Sequence, residues 1–383
     1  MSTGKFKKYT QSVSAPPNPS MGDEWYDTAS GTLYKFIFYN NVTQWVSSAG
    51  FGDLALPTWT SATRPSTPSN GQMGYNSSLL AVEAYISGVW QNSAARLTPE
   101  IELLIVAGGG AGGGKFTAGG GAGGLLYYGN NSTTKTPNGG PLTLVKGTTY
   151  TIAVGAGGVA DTSGTASSFI GGTYSLSATG GGKNAVAGGS GGGGGGTGTV
   201  GQGNNGGTSA SNASGGGGGA GSVGKNAAPG TKGGGGGDGL RYPEFAVNLG
   251  SGNGFPNGIV TGGWFAGGGG GGGNGTTANG NIGGPGGPGG GGAGGYGPYV
   301  NSTGATGSLG NPGIAYTGAG GGGTSDLHAI DGGRSTGFGG GGIVILSYAG
   351  GLVRGTGGTI DTTTRPGYVM HIFTGGGAFV YTG

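Results

Sequence analysis

Trp264-Phe265-Ala266-Gly267-Gly268-Gly269-Gly270-Gly271-Gly272-Gly273 is the stretch on which the fold turns. It lies inside a glycine tract running from about residue 107 to residue 342, in a chain with 111 glycines among 383 residues. Ordinary domains carry about 7% glycine. Ordering a glycine costs more backbone entropy than ordering any other residue, so the tract is either filler or an object whose packing depends on missing side chains.

Three states are open to such a tract. Glycine plus proline above about 25–30% without a period signals disorder. Collagen needs a strict Gly-X-Y repeat, and only Gly283-Gly284-Pro285-Gly286-Gly287-Pro288-Gly289 approaches one, so collagen is excluded. The third state is a bundle of extended polyglycine-II rods, with three residues per turn, about 3.1 Å per residue and no internal hydrogen bonds. Their amides must bond sideways, and only glycine lets backbones approach on every side. The runs 191–196, 215–219, 233–237 and 320–323 would each be one rod.

Ordering costs on the order of 1–2 kcal/mol per residue. Against this stand about 1 kcal/mol per lateral hydrogen bond and about 0.5–1 kcal/mol per Cα–H···O contact. One rod fails on these terms; a packed bundle succeeds. Sparse charge, flanking strands and aromatic inserts depart from the disorder signature and favour the bundle.

The flanks read as strands. Ile101-Glu102-Leu103-Leu104-Ile105-Val106 leads into the tract as a strand buried on both faces, and Gly342-Ile343-Val344-Ile345-Leu346-Ser347-Tyr348 closes it. Further strands are expected over 149–154, 168–170 and 173–179, with Gly171-Gly172 as a two-residue hairpin turn. Segments 358–360, 368–373 and 378–381 follow, the last two forming a terminal hairpin. Together these make a sandwich-like β base for the rods.

The first hundred residues hold a repeat. Pro16, Pro19, Gly22, Trp25-Tyr26, Leu33 and Trp45 are echoed 49 residues later by Pro65, Pro68, Gly71, Gly74-Tyr75 and Val82, closing at Trp90. Each copy reads as a small β-meander of about three strands. Trp25, Trp45, Trp59 and Trp90 could serve as carbohydrate platforms, but Trp25, Trp45 and Trp90 recur at matched positions and are expected as the module cores. The fold class is therefore all-β with irregular extended structure: short N-terminal β-modules, then a β base carrying polyglycine-II-type rods. Boundaries fall at 1–50 for an N-terminal arm and first module, 51–97 for the second, 98–349 for the glycine-rich domain and 350–383 for the C-terminal hairpin.

Charged residues make up 8% and the net charge is +3, so bulk electrostatics indicate neither nucleic acid nor acidic partners. No cysteine is present, so disulfides and thiolate metal sites are excluded. Residues 1–13 lack the apolar core of a signal peptide, and no run reaches 18 apolar residues. Synthesis in a cytoplasm without membrane insertion is expected.

Glycine runs generate false nucleotide motifs. Segments 109–115 and 219–225 have phosphate-loop spacing, but Phe116 and Asn226 stand where Ser or Thr is needed. One calcium-type nonapeptide at 233–240 is solitary. Asp326, His328 and Asp331 cluster in what reads as a turn loop rather than a metal site, and His371 reads as structural. No catalytic residue, metal or cofactor is expected.

Aromatic inserts punctuate the runs: Tyr242 and Phe245, Phe255, Trp264-Phe265, Tyr296 and Tyr299. Two roles are open for them, stacking on a receptor from loops on a rigid scaffold or capping rod ends against water.

The segments 103–110, 150–158 and 341–345 resemble the glycine-rich domain of tailed-bacteriophage fibres and adhesins, notably of marine and cyanobacterial phages, and the N-terminal modules are similar to repeats in the same proteins. The resemblance implies a virion protein, made in the host cytoplasm, often homotrimeric and joined to other virion proteins at its N-terminal side. It also implies distal loops that bind a host-surface glycan or protein. The basic arm Lys5, Phe6, Lys7, Lys8, Tyr9 is the expected attachment segment, and the seven aromatics above are the expected receptor set. A purely structural capsid or tail decoration fibre is the nearest rival, and an ice-binding glycine-rod protein a more distant one.

Overall fold

The computed structural model describes residues 9–20, 23–30, 32–39, 42–47, 56–78, 81–86, 88–92, 100–113, 117–130, 138–159, 161–230, 232–247, 261–273, 282–297, 308–325, 337–349 and 353–383. They are essentially all-β and form two compact units, residues 1–97 and 98–383.

The first unit contains two sheets of four strands with one topology. In the first, β1 (Tyr9–Ser12) runs parallel to β2 (Glu24–Asp27), and β3 (Thr32–Tyr39) and β4 (Val42–Ser47) follow antiparallel. The second repeats this with β5 (Thr58–Trp59), β6 (Met73–Asn76), β7 (Ala81–Ile86) and β8 (Val89–Asn92). The expected three-strand meander is corrected to four strands. The extra strand pairs in parallel across a long connection, which local reading does not detect.

The indole core comes from a different strand in each copy. Trp25 of β2 stacks on Tyr34, ring centroids 4.8 Å apart, and meets Trp45 edge-on. In the second copy Gly74 occupies the place of Trp25, and the indole of Trp59 on β5 fills the space a Cβ there would need. Trp59 meets Trp90 edge-on at 5.0 Å. Its Nε1 donates to the buried carboxylate of Glu83 at 2.9 Å, which also accepts from Asn76 Nδ2 and pairs with Arg64.

The second unit starts from two five-stranded sheets. One has the order β10-β9-β16-β19-β18: β10 (Leu125–Tyr128), β9 (Glu102–Val106), β16 (Ile343–Ala349), β19 (Tyr368–Phe373) and β18 (Thr359–Asp361). The other has the order β13-β12-β11-β20-β17: β13 (Tyr174–Ala178), β12 (Ser167–Gly171), β11 (Thr149–Ala153), β20 (Gly377–Tyr381) and β17 (Gly355–Thr356). Leu103, Ile105, Val344, Leu346, Val369 and Phe373 of the first sheet pack against Tyr150, Ile152, Phe169, Phe379 and Tyr381 of the second. The sandwich is thus closed by alternate residues of each strand.

The expected terminal hairpin is corrected. Among the described residues β19 pairs with β16 and β18, and β20 with β11 and β17, so Thr374, Gly375 and Gly376 carry the chain from one sheet to the other. Residues 353–383 therefore belong to the sandwich rather than to a separate segment.

β9 and β16 are apolar on both faces because both are covered. Leu104, Val106, Ile343 and Ile345 point away from the second sheet and meet Leu125, Tyr127, Tyr242, Phe245 and Phe265. Tyr242, Phe245 and Phe265 are brought there by the two-residue ladder of β14 (Leu240–Arg241) with β15 (Trp264–Phe265) and by single 3₁₀ turns at Pro243–Phe245 and Thr261–Gly263.

Rods continue directly from the strands. The run 267–273 is bonded to six neighbouring segments. Gly269 and Gly272 donate to Gly120 and Thr117, Gly268 and Gly271 to Gly237 and Gly234, and Gly267, Gly270 and Gly273 to Gly289, Gly292 and Gly295. Its carbonyls accept from Gly217 and Ser214, from Gly284 and Gly287, and from Gly320 and Gly323. Each partner recurs every third residue, the repeat of a polyproline-II helix. Segment 107–112 behaves alike: its amides donate in rotation to 117–124, 162–165 and 337–340.

Outer rods replace the missing neighbours. Pro285 and Pro288, which have no N–H, lie exposed on segment 282–288 while their carbonyls accept from Gly236 and Gly239. The Pro285 ring and the Lys225 stem also flank Gly235. Elsewhere side-chain amides cap the backbone: Gly198 N donates to Asn205 Oδ1, Thr208 N to Asn226 Oδ1 and Thr179 N to Gln202 Oε1.

Candidate recognition face at the rod tips

The second unit has two poles. β9 runs from Glu102 toward the rods, and β20 runs antiparallel to β11, so Glu100 and Tyr381 lie at the pole away from the rods. Rods 107–112 and 117–124 join the sandwich at Ala107 and Gly124, so Gly113 and Thr117 mark the opposite pole. Gly273, Gly295, Thr324 and Gly337 are brought to the same level by lateral bonds.

Hydroxyls finish the rods at this tip. Thr117 Oγ1 donates to Gly113 O at 3.1 Å and accepts from Thr324 N at 3.0 Å, while Thr324 Oγ1 donates to the same carbonyl at 3.2 Å. Ser308 grips Tyr296 twice: its Oγ accepts from Tyr296 N at 2.8 Å and its N donates to Tyr296 O at 2.8 Å. These caps were not singled out from the sequence, although the hydroxyl residues next to glycine runs were the available signal.

Segments 274–281, 298–307 and 326–336 leave and rejoin the described structure here, between Gly273 and Ile282, Gly297 and Ser308, and Ser325 and Gly337. Tyr296 is 58% exposed, Ile282 64% and Phe338 40%, so the tip carries exposed apolar side chains beside the Asp161–Lys183 pair, which lies against Gly113. Among the described residues no acidic or histidine cluster suits a metal ion, and no helix is long and apolar enough to cross a membrane.

The seven expected receptor aromatics separate. Tyr296 is at the tip and exposed. Tyr299 falls in segment 298–307 and Phe255 in segment 248–260, both outside the described residues, as are Asp326, His328 and Asp331. Tyr242, Phe245 and Phe265 are fully buried at the sandwich pole. They are corrected as receptor contacts, because a ring with no exposed face has nothing to stack on. Tyr242 packs 5.0 Å from Tyr127 and 6.3 Å from Phe245, and burial pushes its phenol well above the usual tyrosine range. Trp264 is half-buried on the same ladder, its backbone paired with Arg241. Of the attachment segment, Lys5, Phe6, Lys7 and Lys8 lie outside the described residues, and Tyr9 begins β1 opposite Glu24.

No protein-family model, no curated protein and no solved structure matches the chain.

Proposed function

We propose that the chain is a virion structural protein, a tail fibre or adhesin that presents the loops at its rod tips to a host-surface glycan or protein. One observation carries the reading: Glu100 and Tyr381 lie at one pole of the second unit, whereas Tyr296 and the described flanks of segments 274–281, 298–307 and 326–336 stand at the other. The laterally bonded rods provide a rigid scaffold of the kind on which loops carry recognition. N-terminal attachment to other virion proteins and homotrimerisation belong to the same proposal. Catalysis has no part in it.

The burial of Tyr242, Phe245 and Phe265 favours a second reading, a decoration fibre with purely structural work, since three of the seven aromatic inserts serve the core. Adsorption of the purified chain to susceptible cells separates the two. Saturable binding supports the adhesin; absence of binding to every susceptible cell tested, with the rods intact, leaves the decoration fibre.

A further inference from the structure

His371 is fully buried between the two sheets of the sandwich. Its Nδ1 lies 2.7 Å from the carbonyl oxygen of Gly357, which can only accept, so Nδ1 carries the proton. Its Nε2 then accepts from the hydroxyl of Tyr348 at 3.0 Å. That hydroxyl in turn accepts from the backbone N–H of Arg354 at 2.8 Å. One imidazole thus links β19, β16 and the strap 353–358 that crosses between the sheets.

The strap's other holds begin with the Arg354 side chain, which bonds to Tyr381 of β20. β17 contributes only Gly355 and Thr356, paired with Tyr381 and Val380, and Thr382 N donates to Arg354 O. Gly355 lies flat on the Phe379 ring, where a Cβ would stand 2.4 Å from Cζ. Val353, Thr356 and Gly358–Ile360 are at the surface or close to it, so solvent lies just beyond the strap.

We propose that His371 is an acid-sensitive latch: protonation at Nε2 releases the strap 353–358 from the sandwich. The proton comes from water and needs no other reactant. Once bound, it turns Nε2 from acceptor to donor. The Tyr348 oxygen, already accepting from Arg354 N, must then take a second donor, and its own hydroxyl proton loses its acceptor. The groups facing the imidazole give the new charge no counterion. β16 contributes Tyr348 and Leu346, the strap Arg354 and Gly357, β18 Ile360, and β20 Phe379 with Tyr381 farther along. The carboxylate of Asp361, on β18, is engaged by Thr363 and Thr364. Lifting the strap lets water solvate the imidazolium.

The test is hydrogen exchange on the full chain from pH 7.5 to 5, corrected for intrinsic rates, with the imidazole of His371 followed by NMR. The expected result is that exchange across 353–358 quickens by about tenfold per pH unit once pH falls below the histidine range, while segment 266–273 is unchanged. His371→Gln should remove the acceleration. Titration of His371 without change in strap protection overturns the latch, as does simultaneous loss of protection in strap and rods. Should His371→Gln not fold, the coincidence of imidazole titration with strap exchange in the unaltered chain still decides.

Discussion

The carbonyl oxygen of Gly284 lies 2.0 Å from the point where a Cβ on Gly270 would stand. No real Cβ tolerates that distance, and the neighbour is backbone held by its own lateral bonds, so it cannot turn aside. The same relationship recurs between Gly269 and Gly321, and between Gly109 and Ala319. Absence of side chains is therefore the packing mechanism of the bundle.

Gly270→Val is accordingly expected to destabilise the second unit by well over the roughly 1 kcal/mol of a backbone conformational effect, with overpacking adding about 1–3 kcal/mol. Gly140, with nothing within 4 Å of its would-be Cβ and an ordinary backbone, is the control. Gly140→Ala should be neutral or stabilising by about 0.4–1 kcal/mol through the unfolded chain. Denaturant titration of the two variants measures both; equal effects would contradict the close-packed rods.

The N-terminal repeat supplies a pH prediction. Arg64, Trp59 and Asn76 all donate to Glu83, and these bonds, Arg64 first, hold its carboxyl down at about 2 despite burial. The folded value lies below the unfolded one, so the contribution to stability is complete above about pH 4.5 and is lost as pH falls toward 2. A depression of this size corresponds to a few kcal/mol. Glu83→Gln should flatten the acid limb of the first unit's unfolding curve and lower its stability at neutral pH, because Arg64 then lacks its counterion. Tryptophan fluorescence reports both, since Trp59 loses its partner when the site opens.

Much of this architecture was legible in the residues, and the reasons differ by element. The rods could be inferred because glycine has only backbone to offer, and backbone geometry fixes how such chains bond. β9 and β16 were legible as doubly buried runs. The sheet-to-sheet passage at Thr374–Gly376 was not: a glycine turn between two aromatic strands also suits a hairpin, and only the long-range pairing of β19 with β16 and of β20 with β11 decides. β1 and β5 were hidden because parallel pairing leaves no local turn signal. The burial of Tyr242, Phe245 and Phe265 follows from volume. Glycine rods have no side chains with which to cover Leu104, Val106, Ile343 and Ile345, so aromatic inserts must do so. That need is visible only once the outer face of the sheet is known.

Two aromatic substitutions separate the core from the recognition face. Phe245 is fully buried against Tyr127 and Tyr242. Phe245→Ala should cost about 3–5 kcal/mol by opening a cavity beneath the sheet, with cell binding of the still-folded fraction unchanged. Tyr296 has its backbone clamped by Ser308 and is 58% exposed, so its side chain contributes little to packing. Tyr296→Ala should therefore shift the unfolding midpoint little, within about 0.5 kcal/mol of the unaltered chain. If the tip meets a receptor, that variant loses binding through its contact face rather than through the scaffold. Denaturation and cell adsorption measured on both variants give a crossed pattern, stability lost in one and adsorption in the other. Loss of adsorption by the folded fraction of Phe245→Ala, with Tyr296→Ala binding normally, would move the recognition surface away from the rod tips.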